Sequence, residues 1–224
     1  SHTHCVFAGN RADEFARRLR GVSYQTIAAE GGGILNTVHA VRAASIEQLA
    51  HQGIVLALNA MKHGTTTIEM KSGYGLTLES ELTLLKAIKV VSQEVPLRVI
   101  STFLGAHAFP KQYKENHAGY IQLLIEEILP TIAAQNLADY IDAFLETGYF
   151  SVEETERIME AGKQYGLKVD TYVDERSDPL KASNAATQYM KNMYAIFGDW
   201  DLVLASYNTG PGNVAKAIRR SGGK

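Results

Sequence analysis

Apolar and β-branched residues gather into four short runs, and longer stretches with helical spacing separate them. "TTTIEM" (65–70), "LRVISTFL" (97–104), "IDAFLE" (141–146) and "LKVDTYV" (167–173) read as strands buried on both faces. "SIEQLAHQGIVLALNAMKHG" predicts a helix that opens on Ser45 with Gln48 three residues on, a capping-box pattern, and stops at Gly64. "TLESELTLLKAIKVVSQ", "AGYIQLLIEEILPTIAAQ" and "SVEETERIMEAGKQYG" predict three more, the last running from Ser151 to Gly166. Strand–helix units of this length imply right-handed parallel βαβ connections, in a TIM-barrel-like or a doubly wound sheet. After residue 176 the alternation stops. "DPLKASNAATQYMKNMYAIFGD" reads as an amphipathic helix capped by Asp178 with Pro179 in its first turn, "WDLVLASYNTG" as a shorter helix, and "GNVAKAIRRSGGK" as a third. The expected fold class is α/β, partial (β/α) units over residues 1–174 followed by an all-helical tail over 175–224.

Charge follows the same division. Residues 1–175 carry fifteen Lys+Arg against twenty-one Asp+Glu, and residues 176–224 carry seven against three. All seven histidines lie at or before His117. The boundary in pattern is therefore also a boundary in composition. At 46% hydrophobic and 21% charged residues the chain has the make-up of a soluble globular protein. Its apolar runs fall well short of the roughly 20 residues of a membrane span. A net charge of −2 gives no argument for nucleic acid. Cys5, the one cysteine, rules out an internal disulfide and suits a reducing compartment. No signal-like pattern opens the chain, so a cytoplasmic location is expected.

Candidate chemistry begins at "SHTH". Two histidines one residue apart on a strand point to the same face, so both imidazoles can reach one ion. Alone, the pair reads as two solvated or tag-derived histidines. "SHTHCVFAGNRADEFARRL", "GGGILNTVHAVRAAS", "HGTTTIEMKSGYGL" and "STFLGAHAFP" then follow in order. Together they resemble imidazolonepropionase, a metal-dependent hydrolase family of the amidohydrolase superfamily that acts in histidine breakdown. The resemblance runs from residue 1 to about 170. It implies a barrel with its site at the C-terminal strand ends, His2 and His4 as ligands of a zinc or iron ion, and Arg11 gripping the propionate arm or ring carbonyl of the substrate. It places Tyr74 and His107 beside the imidazolone ring, with His107 and Glu175 as the catalytic pair. The implied reaction is hydrolysis of 4-imidazolone-5-propanoate, a small-molecule substrate, to N-formimino-L-glutamate. Oligomer formation is left open.

The family's third metal ligand is a His in an H-x-D-E pattern, and here "YVDE" puts Tyr172 in its place. A phenol with a pKa of about 10 stays protonated at neutral pH and is a poor ligand. The family's segment before His2 and its strands beyond the fifth are also expected to be absent. The sequence from "YGLKVDTYVDERSDP" onward resembles instead the C-terminal part of a lytic transglycosylase domain, through "VDERSDP", "AATQYM", "FGDW" and "ASYNTGPGNV". That resemblance implies a lysozyme-like helical fold, a peptidoglycan partner, and a sugar cleft lined by Tyr207 and Asn208. Its catalytic Glu belongs to a region whose place is taken by the first family's sequence. "YGLKV" (165–169) is common to both patterns, so the chain reads as a chimera joined there, with both catalytic sites incomplete.

Overall fold

A computed structural model of the chain describes residues 3–23, 26–27, 30–146, 148–169, 187, 190–209 and 211–221. The chain divides into two compact units, Ser1–Asp170 and Thr171–Lys224.

The first unit is built on four parallel strands: β1 (Thr67–Lys71), β2 (Arg98–Ala106), β3 (Tyr140–Ala143) and β4 (Lys168–Val169), in the order β1-β2-β3-β4. Helices α1 (Ala12–Leu19), α2 (Ile34–Ala43) and α3 (Ile46–Lys62) precede β1. Helix α4 (Leu78–Glu94) links β1 to β2, and α7 (Val152–Gln164) links β3 to β4. The β2–β3 link is one helical run in three parts: α5 (His117–Leu123), a π-helical turn (Leu124–Ile128) and α6 (Leu129–Gln135). The parallel sheet with intervening helices is thus as the sequence pattern predicts.

Local chemistry sets the helix ends. Ser45 accepts from the Gln48 N–H at 3.3 Å while the Gln48 side chain accepts from the Ser45 N–H at 3.0 Å, the expected reciprocal cap. Ser151 and Glu154 repeat the device at α7. The register gives the sheet two unlike faces. Ile68, Met70, Phe103 and Ile141 lie on the face packed by Leu84, Ile88, Tyr120, Leu124 and Ile158 of the helices. Glu69, Lys71, Thr102, Tyr140 and Asp142 lie on the other. The second face is polar but still partly buried, with Lys71 and Thr102 both enclosed, so burial on both faces holds at the C-terminal strand ends.

Three sequence expectations need adjustment. Residues 3–5 form no strand; a single backbone rung, Lys71 N–H to Thr3 O at 2.9 Å, and the Thr3 hydroxyl on the Glu69 carbonyl attach them to β1, too little for a ladder. β3 ends at Ala143 rather than Glu146, because Leu145 makes an isolated bridge with Phe150. α1 and α2 fall in a stretch to which the pattern gives no element. β4 covers the start of the fourth predicted strand, and the rest of that strand lies outside the described residues.

In the second unit, residues 190–197 are helical, and α8 (Trp200–Thr209) and α9 (Pro211–Arg220) follow. Asp199 opens α8, its carboxylate accepting from the Asp201 and Leu202 N–H groups at 2.8 and 3.1 Å. Met193, Val203 and Val214 are buried, and the Tyr194 and Trp200 rings stack at 4.7 Å. Among the described residues of this unit there is no strand. The predicted cap at Asp178 and Pro179 lies outside the described residues.

Candidate functional site

Parallel strands present their C-terminal ends together, and there the chain gathers its rings. β1 ends at Lys71 and turns through Ser72–Leu76 into α4; β2 ends one residue before His107; β3 ends one residue before Phe144. His4 comes in beside β1. The His4 and Tyr74 centroids are 4.6 Å apart, His4 and His107 5.0 Å with planes 14° apart, and Tyr74 and His107 5.3 Å. Phe144 meets His107 edge-on at 5.9 Å. A cavity of about 220 Å³ opens against this cluster, lined by His4, Phe7, Asn10, Arg11, Thr37 and Tyr74. A larger hollow of about 450 Å³ at Leu145–Val152 carries none of the predicted site residues. We place the site at the smaller one, where charge, hydroxyl and imidazole converge.

Of the sequence-predicted residues, Arg11, His4, Tyr74 and His107 are thus brought together. His2 and Glu175 lie outside the described residues, as does Tyr172. Tyr207 and Asn208 fall within α8 of the second unit, and their side chains lie outside what is described. Among the described residues no group of three or more His, Cys, Asp or Glu is placed to hold a metal ion. Of the implied ligands His4 alone lies among the described residues, and no chemical step is routed through an ion.

Two charged residues that the motif reading does not single out shape the site. Lys71, 5% exposed, bonds Asp142 at 2.7 Å and Glu69 at 2.8 Å, and Glu69 also accepts from the Thr102 hydroxyl at 2.7 Å. Burial would pull the Lys71 ammonium down, but hydrogen bonds and charge from Asp142 and Glu69 more than offset it and hold it above the usual lysine range. Glu81, fully buried in the first turns of α4, accepts from the Gly73 N–H at 3.0 Å, the Gly75 N–H at 2.8 Å and the Leu76 N–H at 2.9 Å. Burial pushes its carboxyl up, against the pull of those N–H groups and of the Ser72 hydroxyl.

The Ser72–Leu76 loop is conformationally demanding. Gly73 sits at φ +106°, and a Cβ there would meet the Leu104 carbonyl oxygen at 2.6 Å. Leu76, buried among Val38, Ala108 and Ile34, holds φ +57°, a left-handed conformation that costs a branched residue about 1–3 kcal/mol. Gly73→Ala should therefore destabilise the first unit by about 3 kcal/mol, backbone strain and the carbonyl clash acting together. Urea unfolding followed by far-UV dichroism checks this, and an unchanged midpoint would refute the reading of the loop.

A parallel α/β unit with an imidazole- and tyrosine-lined cavity at the carboxyl ends of its strands has the layout of a small-molecule enzyme site. Its sequence is similar to imidazolonepropionases. That of Flavobacterium psychrophilum is 54% identical over 175 residues, 78% of this chain and 43% of that protein. That of Symbiobacterium thermophilum is 50% identical over 186 residues, 83% of the chain and 44% of that protein, and that of Treponema denticola 44% over 188, 84% and 45%. The chain spans less than half the length of these relatives. Residues 158–224 match a second family, described as the Transglycosylase SLT domain. The two matched lengths together exceed the chain's 224 residues, so they share residues beyond position 157. Both resemblances seen in the sequence are thereby shown. Among the described residues no helix is long and apolar enough to cross a membrane.

Proposed function

We propose that residues 1–174 are a portion of an imidazolonepropionase-type (β/α) barrel, that residues 175–224 are the C-terminal portion of a lytic transglycosylase-type domain, and that the chain keeps affinity for an imidazolone acid without hydrolysing it. The sequential strand order supports the barrel, because a doubly wound sheet reverses its order at a switch point. The convergence of His4, Tyr74 and Arg11 on one cavity, with His107 against the His4 and Tyr74 rings, carries the functional reading.

Each residue has a role that its chemistry suits. Arg11 stands at the exposed rim of the cavity and presents a fork that matches a carboxylate. Tyr74 offers a ring face, and His107 an imidazole edge, to a flat five-membered ring. The Gly73 carbonyl lies 3.0 Å from His107 Nδ1 and can only accept, so Nδ1 carries a proton and, in the neutral ring, Nε2 holds the lone pair. The resemblance implies a zinc or iron ion that would supply activated water, with Glu175 as the acid/base beside it. In this chain Tyr172 stands where the third imidazole ligand belongs, and transglycosylase-like sequence follows it. Small-molecule binding in a cytoplasmic setting is the reading that follows.

Titration by NMR with imidazole-propionate, beside Arg11→Ala, tests it. One Arg–carboxylate contact plus ring packing predicts a millimolar Kd, weakened about tenfold or more in Arg11→Ala. Equal binding by both proteins would sink the proposal. The transglycosylase match favours a second reading, glycan binding by Tyr207 and Asn208. Tighter binding of a chitooligosaccharide than of the imidazole acid would select it.

A further inference from the structure

We propose that Glu81 is a positioning residue for His107: its carboxylate holds the Gly73 N–H, and the carbonyl of the same residue, on the next peptide unit, fixes the His107 ring as the Nδ1–H tautomer. The inference deepens the site reading above and rests on it for its functional meaning.

The geometry forms a relay with no slack. Glu81 is 0% exposed, and its two oxygens divide their work. One accepts from the Gly75 and Leu76 N–H groups, and the other takes the Gly73 N–H at 3.0 Å. The Gly73 residue held in this way turns its carbonyl to His107 Nδ1 at 3.0 Å. Other contacts remove the loop's remaining freedom. Ser72 donates its N–H to the Thr102 carbonyl at 3.0 Å and accepts the Leu104 N–H on its hydroxyl at 3.1 Å. The Arg42 guanidinium donates to the Gly75 carbonyl at 2.9 Å. Leu76 sits in its left-handed conformation with its N–H on Glu81. Backbone strain of this kind persists only where the surroundings over-determine it. It lies here in the loop that carries Tyr74 and touches His107.

A carboxylate is the right group for the task because it only accepts. Three converging N–H donors need acceptor capacity on both oxygens, which an ionised carboxylate supplies and an amide does not. An acid with one oxygen protonated, or an amide, would set a donor against one of these N–H groups. The consequence reaches the ring. When the Gly73 carbonyl holds Nδ1–H, Nε2 is the basic nitrogen, and it is the atom that can take a proton from, or accept a hydrogen bond from, a ligand N–H. Around metal-ligating histidines, outer hydrogen-bond partners that fix the tautomer act on function at the scale of roughly tenfold or more, and the same scale is expected for His107.

Glu81→Gln separates this role from plain structural support. The Gln carbonyl can keep Gly75 and Leu76 while its NH₂ faces the Gly73 N–H, so the arm leading to His107 is the one that fails. Long-range 1H–15N NMR on the full chain should show wild-type His107 as the Nδ1–H tautomer and Glu81→Gln as a mixture, with the amide shifts of α7 and β4 unchanged. Imidazole-propionate affinity should fall roughly tenfold. A single Nδ1–H tautomer in Glu81→Gln would overturn the proposal, whether or not the ligand binds. Failure of the wild type to bind would refute the site reading alone. Should Glu81→Gln not fold, the wild type decides: Gly73, Gly75 and Leu76 amides must exchange slowly and His107 must be one tautomer, and a rapidly exchanging Gly73 amide with mixed tautomers overturns it.

Discussion

Lys71→Met should lower the stability of the Ser1–Asp170 unit by about 3 kcal/mol, at the low end of the range for breaking a buried ion pair because Asp142 keeps 30% of its side chain exposed. In a unit this size that moves the thermal midpoint by roughly 10 °C. The loss arises because two carboxylates, Glu69 and Asp142, would then face each other on the polar side of the sheet with no cation between them. Neutralising them as well, in Lys71→Met/Glu69→Gln/Asp142→Asn, should recover most of the loss. The pH dependence follows from the raised ammonium. A group whose folded pKa lies above its unfolded value contributes stability that is fully present below the unfolded pKa and is lost as pH rises through the folded one. Wild-type stability should therefore fall as pH climbs past the usual lysine range, and Lys71→Met should not show that fall. Scanning calorimetry across alkaline pH measures both, and coincident wild-type and Lys71→Met curves would contradict the assignment.

The second large effect concerns turnover. The purified 224-residue chain should open no imidazolone ring above a metal-only blank, with zinc or iron added in excess. Water activation by a bound ion needs about three protein ligands, and on the reading proposed above Tyr172 stands where the third imidazole would be. A protonated phenol does not replace an imidazole at neutral pH. Tyr172→His should restore little, because the sequence after it follows the transglycosylase family rather than the later strands of a barrel. Ultraviolet loss of the imidazolone chromophore is the readout, and turnover clearly above the blank would refute the prediction.

Much of the first unit was legible because its signals are local. Ser45 with Gln48 announces α3, and the β-branched runs announce the strands. α1 escaped although Ala12, Phe15, Ala16 and Leu19 stand at helical spacing, because its eight residues are shorter than the stretch over which such a pattern is read. α2 escaped because it starts at Gly33, φ +70°, without a side-chain cap. At the site, Arg11, His4, Tyr74 and His107 were reachable through motif resemblance. Glu81 was not: within "TLESELTLL" it looks like any surface helix glutamate, and only the packing of the loop onto α4 turns it inward. The one available hint was its place four residues past Thr77, just after the glycine-bearing "SGYGL". Lys71 hid in the same way, a charged strand end whose partner Asp142 is 71 residues distant. Thr37 and Asn10 line the cavity with no sequence signal at all.

The π-helical turn at Leu124–Ile128 shows how the chain keeps a long helix in phase with the sheet. Tyr120 and Leu129 are nine residues apart, and at about 100° per residue a plain α-helix would turn them to roughly opposite sides. Both are nonetheless fully buried. The wider turn absorbs one surplus residue, unwinds the second half of the helix, and merges two half-stripes into one continuous apolar seam. The link between β2 and β3 thus behaves as two short helices that share an axis but not an angular origin. That offset lets Tyr120 reach the Gly105 carbonyl at 2.8 Å while Leu129 and Ile132 still face the core.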